Sequence, residues 1–248
     1  MYTKQNLMDN MATMNIDPHG ALLIHLSYKA IGETENRAET VLDAFVEYMK
    51  PGLLVLPSHT WRNVNNENPV MDILHTPSCV GICTELFRRR PGIQRSLHPT
   101  HSVAALGKDA EEFIAGEEKM QTPCGKGGVY YKLWERNAQI LLIGVNFSRS
   151  TFIHGVEEWD GAIGSISEEK TELYVINRDG GRLYTPQYRH CSSLGSRTFV
   201  KLEPEALSQG VMTISRFGNA TARLVRAKPI RTLAAKFLAE DPQYLMWH

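Results

Sequence analysis

ALLIHLSYKAIGETENRAETVLDAFVEYMKPGLLVLP, residues 21–57, holds the unit from which the rest of the chain is read. ALLIHL (21–26) is a short apolar run of the length of a buried strand. TENRAETVLDAFVEYMK (34–50) sets Val41, Leu42, Phe45, Val46 and Met49 at helical spacing, and Pro51 with Gly52 stops the helix. LLVLPSHTW (53–61) begins as a second apolar strand and passes at Pro57 into a polar loop. Strand, helix and strand in this order predict a βαβ crossover opening an α/β domain.

Further along, QILLIGVNF (139–147) is the clearest central strand and SVAALG (102–107) is a strand of small residues. ELYVINRDGGRLYTPQYR (172–189) alternates around Asp179–Gly180–Gly181 and predicts a β-hairpin. Helices are predicted over CVGICTELFRRR (79–90), from near Lys108 through KDAEEFIAGEE, and over PIRTLAAKFLAEDP (229–242). Residues 62–78, rich in Asn and Pro, read as a surface loop. With no internal repeat, low-complexity tract or long linker, residues 1–248 read as a single α/β domain carrying a hairpin embellishment.

Composition narrows the function classes. Lys plus Arg (27) balances Asp plus Glu (27), which gives no electrostatic footprint for nucleic acid or an anionic membrane. No apolar run is long enough to span a bilayer, and the N-terminal residues lack the apolar core of a secretory signal. Cys79, Cys83, Cys124 and Cys191 form no CxxC pair, so they read as free thiols of a cytoplasmic protein and not as a zinc ribbon or disulfide framework.

Three stretches carry chemistry. In RSLHPTHSVAA (95–105), His98 and His101 stand three apart, a metal-site spacing on a helix. Pro99 pushes His98 towards an extended conformation, which would turn the two rings apart. In TFIHGVEE (151–158), after the best strand, a helix would place His154 and Glu157 on one face. A carboxylate on one imidazole nitrogen makes the other a better proton acceptor, which is a general-base dyad. The same segment also reads as an ordinary helix start with Thr151 as N-cap. His25 and Ser27 share a face at the end of the first strand, as a polar strand terminus or a ligand contact. Two weaker features are CGKGGVYYK (124–132), a flexible turn or an anion loop, and RRRPGIQR (88–95), a solvated helix end or a phosphate contact.

LLIHLSYKAIG, LLVLPSHTW, TPSCVGICTELFRRRPGIQRSLHPTHSVAALG, TPCGKGGVYYKLWE, ILLIGVNFSRSTFIHGVEE and FGNATARLV, in this order, resemble the antibiotic N-acetyltransferases, best known from the aminoglycoside 3-N-acetyltransferases of antibiotic resistance. The resemblance covers about residues 18–245. It implies a single α/β domain with a central mixed sheet flanked by helices, unrelated to the histone and spermidine acetyltransferase fold. It implies acetyl transfer from acetyl-CoA to an amine, with His154 and Glu157 as the catalytic pair and Thr151 near the thioester. By the same resemblance the cofactor is met by His25, Ser27 and Lys29 of the first segment and by Ser96, His98, Thr100, His101, Ser102 and Val103 of the HPTHS block. Leu26 and Tyr28 stand where typical members have serine and leucine, and no glycine pair precedes the first helix. The partners implied are acetyl-CoA and a small amine acceptor, without metal, and a homodimer is the default assembly. Two other readings use the same residues: a CoA-binding homologue without transferase activity or with a non-antibiotic acceptor, and a metal-dependent hydrolase with His98, His101, His154 and Glu157 on zinc.

Overall fold

In the computed structural model, which describes residues 1–191 and 196–245, the apolar runs become the inner strands of one mixed sheet. The strands are β1 (Ala21–Leu26), β2 (Leu53–Pro57), β3 (Val70–Asp72), β4 (Gln94–Arg95), β5 (Val103–Gly107) and β6 (Gln139–Ile143). They continue with β7 (Ile166–Thr171), β8 (Tyr174–Ile176), β9 (Arg182–Tyr184), β10 (Gln187–His190), β11 (Met212–Phe217) and β12 (Ala220–Arg226). The helices are α1 (Lys4–Thr13), α2 (Tyr28–Ile31), α3 (Arg37–Tyr48), α4 (Ile82–Arg88) and α5 (Ala110–Ile114). After them come α6 (Val129–Glu135), α7 (Thr151–Asp160), α8 (Glu203–Ser208) and α9 (Ala227–Glu240).

The main sheet has the order β11-β12-β6-β1-β2-β5-β4. The predicted crossover is present: β1 runs parallel to β2 on one side and to β6 on the other. The flanking pairs β12–β6, β2–β5, β11–β12 and β4–β5 are antiparallel. Alternation sorts the core into two layers. Leu22, Ile24, Leu54, Leu56, Leu141 and Ile143 pack on Val41, Leu42 and Phe45 of α3. Leu23, Val55, Ile140 and Leu142 share the other layer with Phe152 and Val156 of α7 and with Ile230 and Leu233 of α9. Burial on both faces is why these strands read as unbroken apolar runs. Gly144, with φ +64°, ends β6; a Cβ there would lie 2.3 Å from that of Ala30, so glycine lets α2 sit against the strand end.

Four segments depart from the sequence reading. Within 62–78, Val70–Asp72 forms β3 and pairs in parallel with β8. Val64, Met71 and Ile73 pack there on Leu173 and Val175. A three-residue strand whose partner lies about a hundred positions away leaves no local period to read. The hairpin closes between β8 and β9 as predicted, but the chain leaves it after Tyr184, and Gln187–His190 pairs instead with the largely polar β7. The helix expected over 79–90 starts at Ile82, because Gly81 has φ +124°. The one expected from Lys108 breaks at Ala115 and Gly116 into α5 and a short 3-10 turn, Glu117–Lys119. Among the described residues, no helix is long and apolar enough to cross a membrane.

Candidate active site

The carboxyl ends of the parallel strands β6, β1 and β2 lie on one side of the sheet. The chain leaves β1 for β2 on one flank and returns as β6 on the other, which makes β1 a switch point where open α/β sheets bind ligands. Strand parity puts His25, like Leu23, on the α7 side. A cleft opens there, lined by His25, His59, Arg62, Cys79, Arg149 and Thr151. His25 is 8% exposed, and its Nε2 has no hydrogen-bond partner. Burial holds its pKa down at about 3, so the ring is neutral.

α7 begins at Thr151 itself, with Ser150 in the N-cap position, so Thr151 is the first helical residue and not the cap. Thr151 is buried and lines the cleft. One turn on, His154 Nδ1 lies 2.8 Å from Glu157 Oε2. The Glu157 side chain is 4% exposed and that of His154 20%. Burial pushes the Glu157 pKa up, and the bond to His154 opposes it. Donation from Nδ1–H to the carboxylate leaves Nε2 as the lone-pair nitrogen. Between the pair's residues, Gly155 is required by packing: a Cβ would come within 2.6 Å of the Trp159 ring.

His154 stands in a chain of imidazoles. His190 stacks on it with centroids 4.3 Å apart, and Phe199 meets it edge-on at 4.7 Å. His101 approaches His190 at 5.1 Å and His59 at 4.6 Å. His59 Nε2 bonds the Tyr130 hydroxyl at 2.8 Å, and His190 Nε2 bonds Glu158 Oε1 at 2.7 Å. Burial, reinforced by neighbouring imidazoles, lowers His59, His101 and His190 well below the usual histidine range. Burial also raises Glu158 to about 7. His59, Tyr130 and His190 are missing from the residues singled out in the sequence, and Glu158, the last residue of TFIHGVEE, is given no role of its own there. His59 has a readable signal, since it lies just past the carboxyl end of a parallel strand. His190 has none.

The HPTHS block is the turn of the β4–β5 hairpin, not an extended entry. His98 Nδ1 accepts the backbone N–H of Thr100 (3.2 Å) and of His101 (3.0 Å), so its Nε2–H donates to the Thr122 carbonyl (3.2 Å). The imidazole thus caps its own turn, and this folds His101 back to 5.9 Å from it, where Pro99 alone predicted separation. Desolvation brings the His98 pKa down to about 4. Ser96 Oγ accepts the Val103 N–H, and Ser102 Oγ donates to the Ser58 carbonyl at 2.6 Å. Ser96, His98, Ser102 and Val103 are fully buried and Thr100 nearly so; His101 alone in the block is half-buried.

The profile that matches residues 23–239 is that of the aminoglycoside 3-N-acetyltransferases. The chain belongs to this family. It is 26% identical over 247 residues to aminoglycoside N(3)-acetyltransferase IV of Salmonella sp, covering 97% of this chain and 89% of that one. Two solved structures share the fold. One is a histidine-to-alanine mutant of AAC(3)-IVa in complex with a gentamicin, with TM-score 0.86, 22% identity and coverage of 98% of this chain and 91% of that one. The other is AAC-IIIb in a binary complex with CoASH, with TM-score 0.85, 20% identity and coverage of 96% and 97%.

Within this member of the aminoglycoside 3-N-acetyltransferase family, three of the four arginines in RRRPGIQR are engaged within the protein, while Arg89 is exposed with a 4.0 Å pair to Glu85. Arg88 pairs with Glu85 (2.6 Å), Arg90 with Glu39 and Asp43, and Arg95 donates to the carbonyls of Ser58, Ile73 and Thr76. The glycine loop leads into α6, whose Val129 N–H is taken by the buried Glu117 carboxylate at 2.8 Å. His98, His101, His154 and Glu157 do not form a zinc set: His98 uses both nitrogens internally. Among the described residues, the one trio with ligand atoms within 4.8 Å of one another is Cys124, Glu158 and His190. Ser27 is half-buried at the end of β1, and Lys29 is exposed on α2.

Proposed function

We propose that this chain transfers acetyl from acetyl-CoA to an amine of an aminoglycoside or a related amino compound, directly, with both substrates bound. The observation that carries this reading is the His154–Glu157 bond on α7, whose first residue, Thr151, lines the carboxyl-end cleft, in a chain of this family. The relatives support the two substrates: AAC-IIIb is solved with CoASH and AAC(3)-IVa with a gentamicin.

Acceptor amines are mostly protonated at neutral pH, and only the free amine attacks a thioester. His154 takes the amine proton on Nε2 while Glu157 holds Nδ1–H and stabilises the imidazolium. One ammonium proton goes to solvent, the amine nitrogen bonds to the acetyl carbon and gives its surplus proton to His154, the C–S bond breaks, and that proton passes to the departing CoA sulfur. Thr151, at the start of α7 and on the cleft wall, is suited to donate to the oxyanion, helped by the positive end of the helix. The unpartnered, buried Nε2 of His25 fits an amide of the pantetheine arm, and Ser27, Lys29 and His101 complete the assigned cofactor contacts. Ser96, His98, Thr100, Ser102 and Val103 serve the cofactor by holding the hairpin, since their side chains are buried and Thr100 Oγ1 is bonded to His101 Nδ1. Cys124 is buried with its pKa raised, and Cys79 on the cleft wall is raised by burial too, so neither is activated as a nucleophile. Free thiols and the use of acetyl-CoA point to a cytoplasmic enzyme.

The test is thiol release from acetyl-CoA against a panel of aminoglycosides and simple amines. Release that depends on an aminoglycoside, with the acetylated product recovered, supports the proposal. Absence of release with every acceptor, together with acetyl-CoA binding by calorimetry, supports the CoA-binding homologue instead.

A further inference from the structure

A single bond from Nδ1 to Glu157 selects the tautomer of His154 but does not by itself set the plane of the ring. That plane is set by what lies on its faces. His190 covers one face, with interplanar angle 27°, and Phe199 meets the ring at 68°. His190 is itself tied down through Nε2 to Glu158 Oε1, which also accepts the Cys124 backbone N–H at 2.9 Å. The side chains of His190 and Glu158 are 13% and 5% exposed, so water competes little for this bond. Two consecutive glutamates of α7 therefore grip two stacked imidazoles. Glu157 takes the one on its own helix, and Glu158 takes the one delivered by β10 at the Ile166 end of the β7–β10 ribbon.

We propose that His190, anchored by Glu158, is a positioning residue that holds the ring plane of His154. The inference rests on the reading of His154 as the base. A base must meet the amine in a narrow range of approach, and an error near ~1 Å costs on the order of 10²-fold in rate. The stack supplies that constraint from β10, an element that reaches His154 from outside α7. Cys124 Sγ lies close enough to complete a metal trio, but it donates to the Thr151 carbonyl at 3.7 Å. Glu158 Oε1 is already met by the N–H of Cys124 and by the His190 ring, so hydrogen bonds account for the trio without an ion.

The experiment measures kcat and KM for acetyl-CoA in the full chain with the best acceptor of the panel, for His190→Ala, His190→Phe, Glu158→Ala, the double His190→Ala/Glu158→Ala variant and His154→Ala, with zinc content determined on each. The expected result is a fall in kcat of about tenfold or more for His190→Ala, with KM within about twofold. Glu158→Ala falls similarly and the double variant falls little further, because the two act as one unit. His190→Phe, which keeps a ring on His154, recovers part of the loss; it also replaces the alanine variant if that one does not fold. Wild-type kcat in folded His190→Ala, His190→Phe no better than alanine, or stoichiometric zinc lost on substitution of His190 overturns the proposal. An active His154→Ala overturns the base reading itself, whereas an inactive His154→Ala beside a fully active His190→Ala removes only the positioning role.

Discussion

His154 Nδ1 and Glu157 Oε2 lie 2.8 Å apart, one turn from each other on α7, with the carboxylate almost wholly withdrawn from water. Burial of Glu157 works against its charge, and the bond to His154 works for it. The imidazole that Glu157 holds is thus also the donor that favours the charged form of Glu157.

His25 presents a buried ring nitrogen to the cleft with no protein partner. His25→Ala is predicted to raise KM for acetyl-CoA about three- to tenfold, the worth of one hydrogen bond, with a smaller effect on kcat. Steady-state kinetics with acetyl-CoA varied check this, and an unchanged KM contradicts the assigned contact.

Arg95 is 3% exposed and holds the carbonyls of Ser58, Ile73 and Thr76 together beneath the cleft loops. Burial lowers its pKa to about 9, still charged at neutral pH. Arg95→Met leaves three carbonyls without this donor and is predicted to cost about 3 kcal/mol of stability by chemical denaturation. A loss under about 1 kcal/mol, the range of an ordinary surface change, contradicts the role.

The inner sheet is legible because ALLIHL, LLVLP and QILLI are buried on both faces, so burial is written into composition. TFIHGVEE is legible because an i, i+3 pair is a local relation. What is not legible is non-local. β3 finds β8 across about a hundred residues of chain, and His190 reaches His154 only because β10 leaves the hairpin for β7. RSLHPTHSVAA misleads for a different reason. The steric rule for Pro99 takes no account of the His98 ring, whose two bonds to backbone N–H groups close the turn. Arg95 misleads because a buried arginine that holds carbonyls looks, in sequence, like one end of a basic run.

Five imidazoles are held neutral by burial, with His25 at about 3 and His98 at about 4, while His59, His101 and His190 are lowered well below 6.5. Their stabilisation is fully present above pH 6.5, and it is lost as pH falls towards the folded values. Glu117 and Glu158, raised from 4.5 to about 7, act in the opposite sense: their stabilisation is present below 4.5 and lost as pH rises through 7. The imidazoles outnumber the carboxyls, so stability is predicted to fall between about pH 6.5 and 4.5. His98→Asn, whose amide oxygen can still cap the turn, removes one of these protons and flattens the slope by about 1.4 kcal/mol per pH unit. Denaturation midpoints at about pH 7, 6 and 5 check this; equal slopes for variant and wild type contradict it.

The role of His154 is tested by kcat/KM of His154→Ala and Glu157→Gln in the thiol-release assay, each variant shown folded by circular dichroism. The dyad predicts a fall of about 10²- to 10⁴-fold for His154→Ala and a smaller but clear fall for Glu157→Gln. Near wild-type acetylation by folded His154→Ala contradicts it.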